Sequence, residues 1–131
     1  MLNRRHMLAV LAASAALSFD SIASAMDKNA FDEKAFEAAQ AAGKPILIEV
    51  SAPWCPTCKA QAPILSRLKG EARFKELVSF DIDFDSQKDL LKKFGVRMQS
   101  TLIVYKGKQE AGRSTGDTNA GSIEALLDKA I

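Results

Sequence analysis

Two cysteines, Cys55 and Cys58, are the residues of this 131-residue sequence best suited to chemistry. They stand in the run Trp54-Cys55-Pro56-Thr57-Cys58. A C-x-x-C pair can support reversible dithiol–disulfide exchange, a permanent structural disulfide, or half of a metal site. Where the pair opens a helix, both sulfurs fall within one turn and can close a disulfide with little rearrangement. The first sulfur then meets free backbone N–H groups and the positive end of the helix dipole. Both stabilise a thiolate and lower its pKa from ~8.5 toward ~7 or below. Cys55 is therefore the expected nucleophile. Cys58, one turn further in and more buried, is the expected resolving thiol. Pro56 suits the first helical position, where a missing N–H costs nothing. Trp54, the only tryptophan, is expected to cover the edge of the site, with Thr57 completing the intervening pair.

Composition removes most competing chemistries. Lys and Arg number 18 against 16 Asp and Glu, a net charge of +2, which makes no electrostatic case for nucleic acid. The single histidine is His6. Arg4 and Arg5 followed by the apolar stretch Met7–Phe19 and Ala23-Ser24-Ala25 read as an export signal over residues 1–25. Cleavage would leave a mature start at Met26. Asn3-Arg4-Arg5-His6-Met7-Leu8 also fits a twin-arginine signal. The apolar stretch is short of the ~20 residues that span a bilayer. Removing the signal takes His6 with it, which excludes Ser-His-Asp, Cys-His and histidine-metal chemistry from the mature chain. Export also places both cysteines where disulfides persist. Residues 26–131 form one domain with no repeat or linker, expected to be a monomer without a resident metal or cofactor.

The elements that must position the cysteines alternate along the chain. Asp32 caps a helix to Ala42, with Phe31 placed as a hydrophobic staple and Gly43 as the stop. Ile46–Val50 is a buried strand interrupted by one carboxylate, Glu49. A helix from about Cys55 to Leu68 contains Pro63, which should kink it. Leu77–Ile82 is a strand, and Asp85 or Ser86 caps a helix through Phe94. Thr101–Tyr105 is a strand joined through Lys106-Gly107-Lys108 to a last strand around Gln109–Arg113. Thr118 or Asn119 caps the final helix. The order α-β-α-β-α-β-β-α implies parallel crossovers early and an antiparallel hairpin at the end. Phe31, Phe36, Phe74, Phe80, Phe84 and Phe94 are expected in the core. Lys69, Arg73, Lys75, Lys88, Lys92 and Lys93 read as solvated helix faces, not a binding patch.

Several of these segments resemble thioredoxin. Lys44-Pro45-Ile46-Leu47-Ile48-Glu49-Val50 is similar to its central strand, Trp54–Lys59 to its redox site, and Ala62-Pro63-Ile64-Leu65 to its kinked helix. Gly95-Val96-Arg97 and Thr101–Lys106 are similar to its later strand region. The resemblance covers residues 30–131 and implies an α/β thioredoxin-like fold with a central mixed sheet flanked by helices. It implies a redox-active Cys55–Cys58 disulfide that exchanges with protein disulfides or thiols. It also implies an upstream electron donor or acceptor protein, a membrane-bound one included, in the bacterial periplasm. The GKPILIE…WC segment most resembles exported reductant domains, and the inserted helical domain of dedicated periplasmic oxidases is missing, so reduction is favoured over oxidation. Glu49 resembles the buried carboxylate beneath the second cysteine. Charging it on a core strand is costly, which readies it to accept the Cys58 proton; the alternative is that the longer Glu side chain reaches solvent at a strand edge. The family's lysine partner for that carboxylate has Ser79 in its place.

One position departs from the family. Ser100 falls where relatives carry a cis-proline facing the disulfide. A cis bond before a non-proline residue costs ~2.5–4 kcal/mol, so a trans Gln99–Ser100 bond is expected. The Ser100 hydroxyl could donate to the Cys55 thiolate, or the more open site could admit a metal or an iron–sulfur cluster shared by two chains. Metal binding and a purely structural disulfide therefore stand as alternatives to thiol exchange.

Overall fold

The computed structural model describes residues 29–131. The export signal over 1–25 and its cleavage point lie outside the described residues. The elements run α1 (Glu33–Ala41), β1 (Pro45–Ser51), α2 (Pro56–Lys69), a 3-10 turn (Ala72–Phe74), β2 (Val78–Asp83), α3 (Lys88–Phe94), β3 (Thr101–Lys106), β4 (Gln109–Thr115) and α4 (Ala120–Asp128). The four strands form one mixed sheet in the order β2-β1-β3-β4. The order of elements is the expected one, and β1, the strand feeding the C-x-x-C turn, is central.

Only β1 and β2 pair in parallel; β3 runs antiparallel to β1 and to β4. The antiparallel part thus starts one strand earlier than the alternation implied. The reason is the length of α3. Its seven residues span about 10 Å, too little to carry the chain back along β2. The segment 95–100 instead delivers the chain to the end of β1 from which β2 also leaves. Thr101 pairs with Val50, and Ser100 N donates to Val50 O at 2.8 Å.

Strand alternation divides the core between the two sheet faces. Ile46, Ile48 and Val50 point to one face, where they pack with Phe36, Phe80, Leu91, Phe94 and Ile103. Leu47 points to the other, among Leu65, Leu68, Leu102, Val104 and Ile123. Glu49 follows Leu47 by two residues and so shares this second face, beneath α2. Phe31 forms the staple expected of it: its ring lies 5.3 Å from that of Phe36, with Asp32 Oδ2 accepting from Ala35 N between them. Phe36, Phe74, Phe80 and Phe94 are buried, whereas Phe31 and Phe84 sit half-buried at the edge of the first cluster.

The cap of α3 differs from the expected one. Its N-cap is Gln87, which makes no side-chain cap bond. Asp85 is engaged elsewhere, accepting from the Trp54 indole, and the Ser86 hydroxyl donates to Asp83. Both candidate caps are drawn back toward the end of β2. Asn119, not Thr118, caps α4, its Oδ1 accepting from Ser122 N at 3.0 Å. Arg73 is exposed, as expected, but on the 3-10 turn rather than an α-helix. It binds Glu71, Glu124 and Asp128 and ties the 3-10 turn to α4.

Candidate redox site

The site forms where β1 hands over to α2. Ala52 O accepts from Cys55 N at 3.2 Å, closing the turn that ends the strand. Cys55 is the N-cap of α2, with extended backbone, and Pro56 takes the first helical turn as expected. Cys55 and Cys58 are joined by a disulfide, their Cα atoms 5.3 Å apart. Cys55 Sγ accepts from Cys58 N at 3.1 Å. One sulfur therefore performs the task of a capping oxygen. The same N–H would meet a thiolate after reduction, and hydrogen bonds to charged acceptors are the stronger ones.

Burial runs opposite to the expected order. Cys55 is 1% exposed, whereas Cys58 is only half-buried. The turn explains this: Cys55 N, Sγ and O are all engaged, with Ala52 O, Cys58 N and Lys59 N respectively, which draws the residue inward. Cys58 stands one step along the helix, toward its open side. Trp54 is 54% exposed. Its indole Nε1 donates to Asp85 Oδ2 at 2.8 Å, and its ring meets Phe84 edge-on at 6.4 Å. Pro56 is exposed and Thr57 half-buried.

Glu49 has a partner the sequence did not reveal. Lys69, the last residue of α2, places Nζ 2.5 Å from Glu49 Oε2, and Ser79 Oγ donates to the same oxygen at 2.7 Å. Lys69 is thus only partly solvated; helical side chains lean toward the N-terminus, which brings its ammonium back over β1. Ser79 supplies a hydroxyl at the place where the family's lysine was missed, and Lys69 supplies the charge from another element. The Glu49 and Lys69 side chains are 15% and 33% exposed.

Ser100 stands immediately before β3 and is fastened to β1 and α2. Its bond to Gln99 is trans, there being no cis peptide among the described residues, and its φ is +60°. A left-handed conformation in a residue with a Cβ costs roughly 1–2 kcal/mol. Three bonds hold it: Ser100 N to Val50 O, Gly116 N to Ser100 O at 3.0 Å, and Gln61 Nε2 to Ser100 O at 3.2 Å. The hydroxyl does not address the cysteines; it donates to Gln99 O at 2.5 Å.

Gln61 is a further site residue. It is 3% exposed, and its Nε2 also donates to Asp117 O at 2.9 Å. One amide thus fastens two loops to the first turns of α2. The signal was available in the sequence. The buried residues of α2 are Gln61, Leu65 and Leu68, and a polar side chain on an apolar stripe must find partners.

A family model described as Thioredoxin matches residues 24–129. The chain belongs to the thioredoxin family. Its relatives include a thioredoxin of Echinococcus granulosus, 33% identical over 95 residues that cover 72% of this chain and 87% of that one. A bifunctional thioredoxin reductase/thioredoxin of Mycobacterium leprae is 31% identical over 85 residues, covering 65% of this chain and 18% of that protein. Among solved structures, Trxlp from Edwardsiella tarda superposes with a TM-score of 0.73 at 40% identity, covering 76% of this chain and 96% of the other. Thioredoxin-family membership and the closed C-x-x-C pair make this chain a thiol–disulfide oxidoreductase.

Proposed function

We propose that the chain reduces disulfides of protein substrates in the bacterial periplasm. The observation that carries this reading is Cys55 as the sulfur cap of α2, bonded to Cys58 and hydrogen-bonded by its N–H. In the reduced state the Cys55 thiolate attacks one sulfur of a substrate disulfide. A mixed disulfide forms, and the other substrate sulfur leaves as a thiolate and takes up a proton. Cys58 gives its proton to Glu49, directly or through water, and attacks Cys55 Sγ. The second substrate thiol is released and Cys55–Cys58 is oxidised. The substrate gains two electrons and two protons. An upstream dithiol protein returns them, and the Mycobacterium leprae relative, named for both activities, supports such a pairing.

Reduction is favoured over oxidation because the connection from β2 to β3 holds only α3 and short loops, with no inserted helical domain. Export rests on the Arg4-Arg5 signal pattern, by the twin-arginine or the general route. Ser100 stands for the family's cis-proline, immediately before β3, and leaves a site shaped by a serine rather than a pyrrolidine ring.

Trapping tests the reading. Cys58→Ala should accumulate mixed disulfides on Cys55 when the protein meets periplasmic extract, and Cys55→Ala should accumulate none. The reverse pattern would make Cys58 the nucleophile, and trapping by neither variant would remove thiol exchange. N-terminal sequencing of the exported protein should begin at Met26; retention of residues 1–25 in the cytoplasm would overturn the location.

A further inference from the structure

A cavity of about 380 Å³ opens between α3 and the loop that leads to Ser100, lined by Lys88, Leu91, Lys92, Gly95, Val96 and Arg97. Its floor is apolar: Leu91 and Val96 are buried core residues whose inner atoms pack against the sheet. Its rim is cationic. Lys88 and Lys92 stand one turn apart on α3, and Arg97 faces them from the loop that leads to Ser100. All three are exposed, and among the described residues none forms an ion pair. Lys93, their neighbour, is by contrast tied to Glu33. Two carboxylates lie close by: Asp85 accepts from the Trp54 indole, and Asp89 shares the adjoining hollow with Lys88.

Contacts link this rim to the turn that carries the disulfide. Lys88 Nζ sits 4.3 Å from the centre of the Phe84 ring, and Phe84 meets Trp54 edge-on. Trp54 precedes Cys55. At the other end Arg97 adjoins Met98, which is exposed, and then the Ser100 turn. A chain of contacts, Trp54 to Phe84 to Lys88, therefore leads from the turn that carries Cys55 to the cavity with its three cations.

We propose that this surface selects the substrate of the exchange reaction: it binds a polypeptide segment bearing carboxylates and an aliphatic side chain near its disulfide. The proposal rests on the thiol-exchange reading. Carboxylates fit the three unpaired cations, and the aliphatic group fits the Leu91–Val96 floor. A bare inorganic anion would make no use of that floor. Charge complementarity of this kind steers encounter and fixes orientation more than it adds affinity.

The test uses the full chain, pre-reduced, and three synthetic peptides that share one disulfide loop. Their tails are glutamate–leucine–glutamate, lysine–leucine–lysine, or uncharged. Exchange is followed by Trp54 fluorescence. The acidic peptide should react about fivefold to tenfold faster than the basic one at low salt, and the ratio should approach one at about 0.5 M salt. Lys92→Glu with Arg97→Glu should invert the preference, while Lys108→Glu with Lys129→Glu, remote from the cavity, should not. Equal rates for the acidic and basic peptides at low salt, a preference that survives high salt, or the same loss in the remote variant would each overturn the proposal. Failure to react with the uncharged peptide would count against thiol exchange itself. In that event a cysteine-free acidic peptide still tests the surface: it should bind saturably and weaken with salt, and absence of binding would overturn the proposal.

Discussion

Lys69 Nζ lies 2.5 Å from Glu49 Oε2, joining the far end of α2 to the strand that delivers Cys55. A core-strand carboxylate beneath a redox helix needs a counter-charge, and this chain draws it from the helix itself. Ser79 adds a hydroxyl to the same oxygen. Glu49 is held in one place, and its Oε1 takes no hydrogen bond among the described residues, which leaves it available to a proton or a water.

Lys69→Met should therefore lower stability by about 1 kcal/mol, a modest loss because the lysine is one-third exposed. Glu49→Gln should act differently. Formation of the mixed disulfide should proceed at the parental rate, while its resolution by Cys58 slows by about tenfold or more and recovers as pH rises. Stopped-flow fluorescence of Trp54 separates the two steps. Slowing of both steps equally would assign Glu49 a structural role only.

Gln61→Met keeps the volume and removes two hydrogen bonds to loop carbonyls, leaving Ser100 O with Gly116 N alone. The expected cost is about 2 kcal/mol in a urea titration. Gln61→Glu should cost more at neutral pH, because a buried carboxylate would face the carbonyls of Ser100 and Asp117. A loss below about 0.5 kcal/mol for both would show that the two loops hold themselves.

The left-handed φ of Ser100 separates glycine from alanine at this position. Ser100→Gly should be more stable than Ser100→Ala by about 1 kcal/mol, since only the Cβ suffers from φ > 0. Equal stabilities in denaturant would contradict the conformation.

Tyr105 gives a signed pH dependence. Burial, and then the nearby Glu110, raise its pKa above the ordinary value of 10.0. Between its unfolded and folded pKa the native state holds more protons than the unfolded one, so stability falls as pH rises. The contribution is complete below pH 10 and is lost above it. Melting of the parent should fall more steeply between pH 9 and about 11 than melting of Tyr105→Phe; parallel curves would contradict the shift.

Most of the fold and half of the site were legible in the residues. Apolar runs and glycine stops located the four strands and four α-helices, though not the 3-10 turn Ala72–Phe74 or the cap of α3, and Phe31 announced its staple by standing before Asp32. The C-x-x-C pair announced itself through its neighbours, strand before and helix after. What escaped were relations between elements. Lys69 and Glu49 lie on different elements, and no local pattern shows that a helix-end lysine folds back over a strand. The burial order of Cys55 and Cys58 depends on which groups the turn engages. The direction of β3 depends on α3 being too short to return along the sheet, which alternation alone does not reveal. Gln61 was legible in principle, from its place on the stripe with Leu65 and Leu68.

Titration of the Cys55–Cys58 couple against glutathione redox buffers tests the central claim most directly. An exchanging disulfide should equilibrate reversibly as a two-electron couple, with a midpoint between about −300 and −120 mV. Trp54 fluorescence would report the transition. A midpoint well below about −300 mV, together with no exchange at Cys55, would show a structural disulfide and contradict the account.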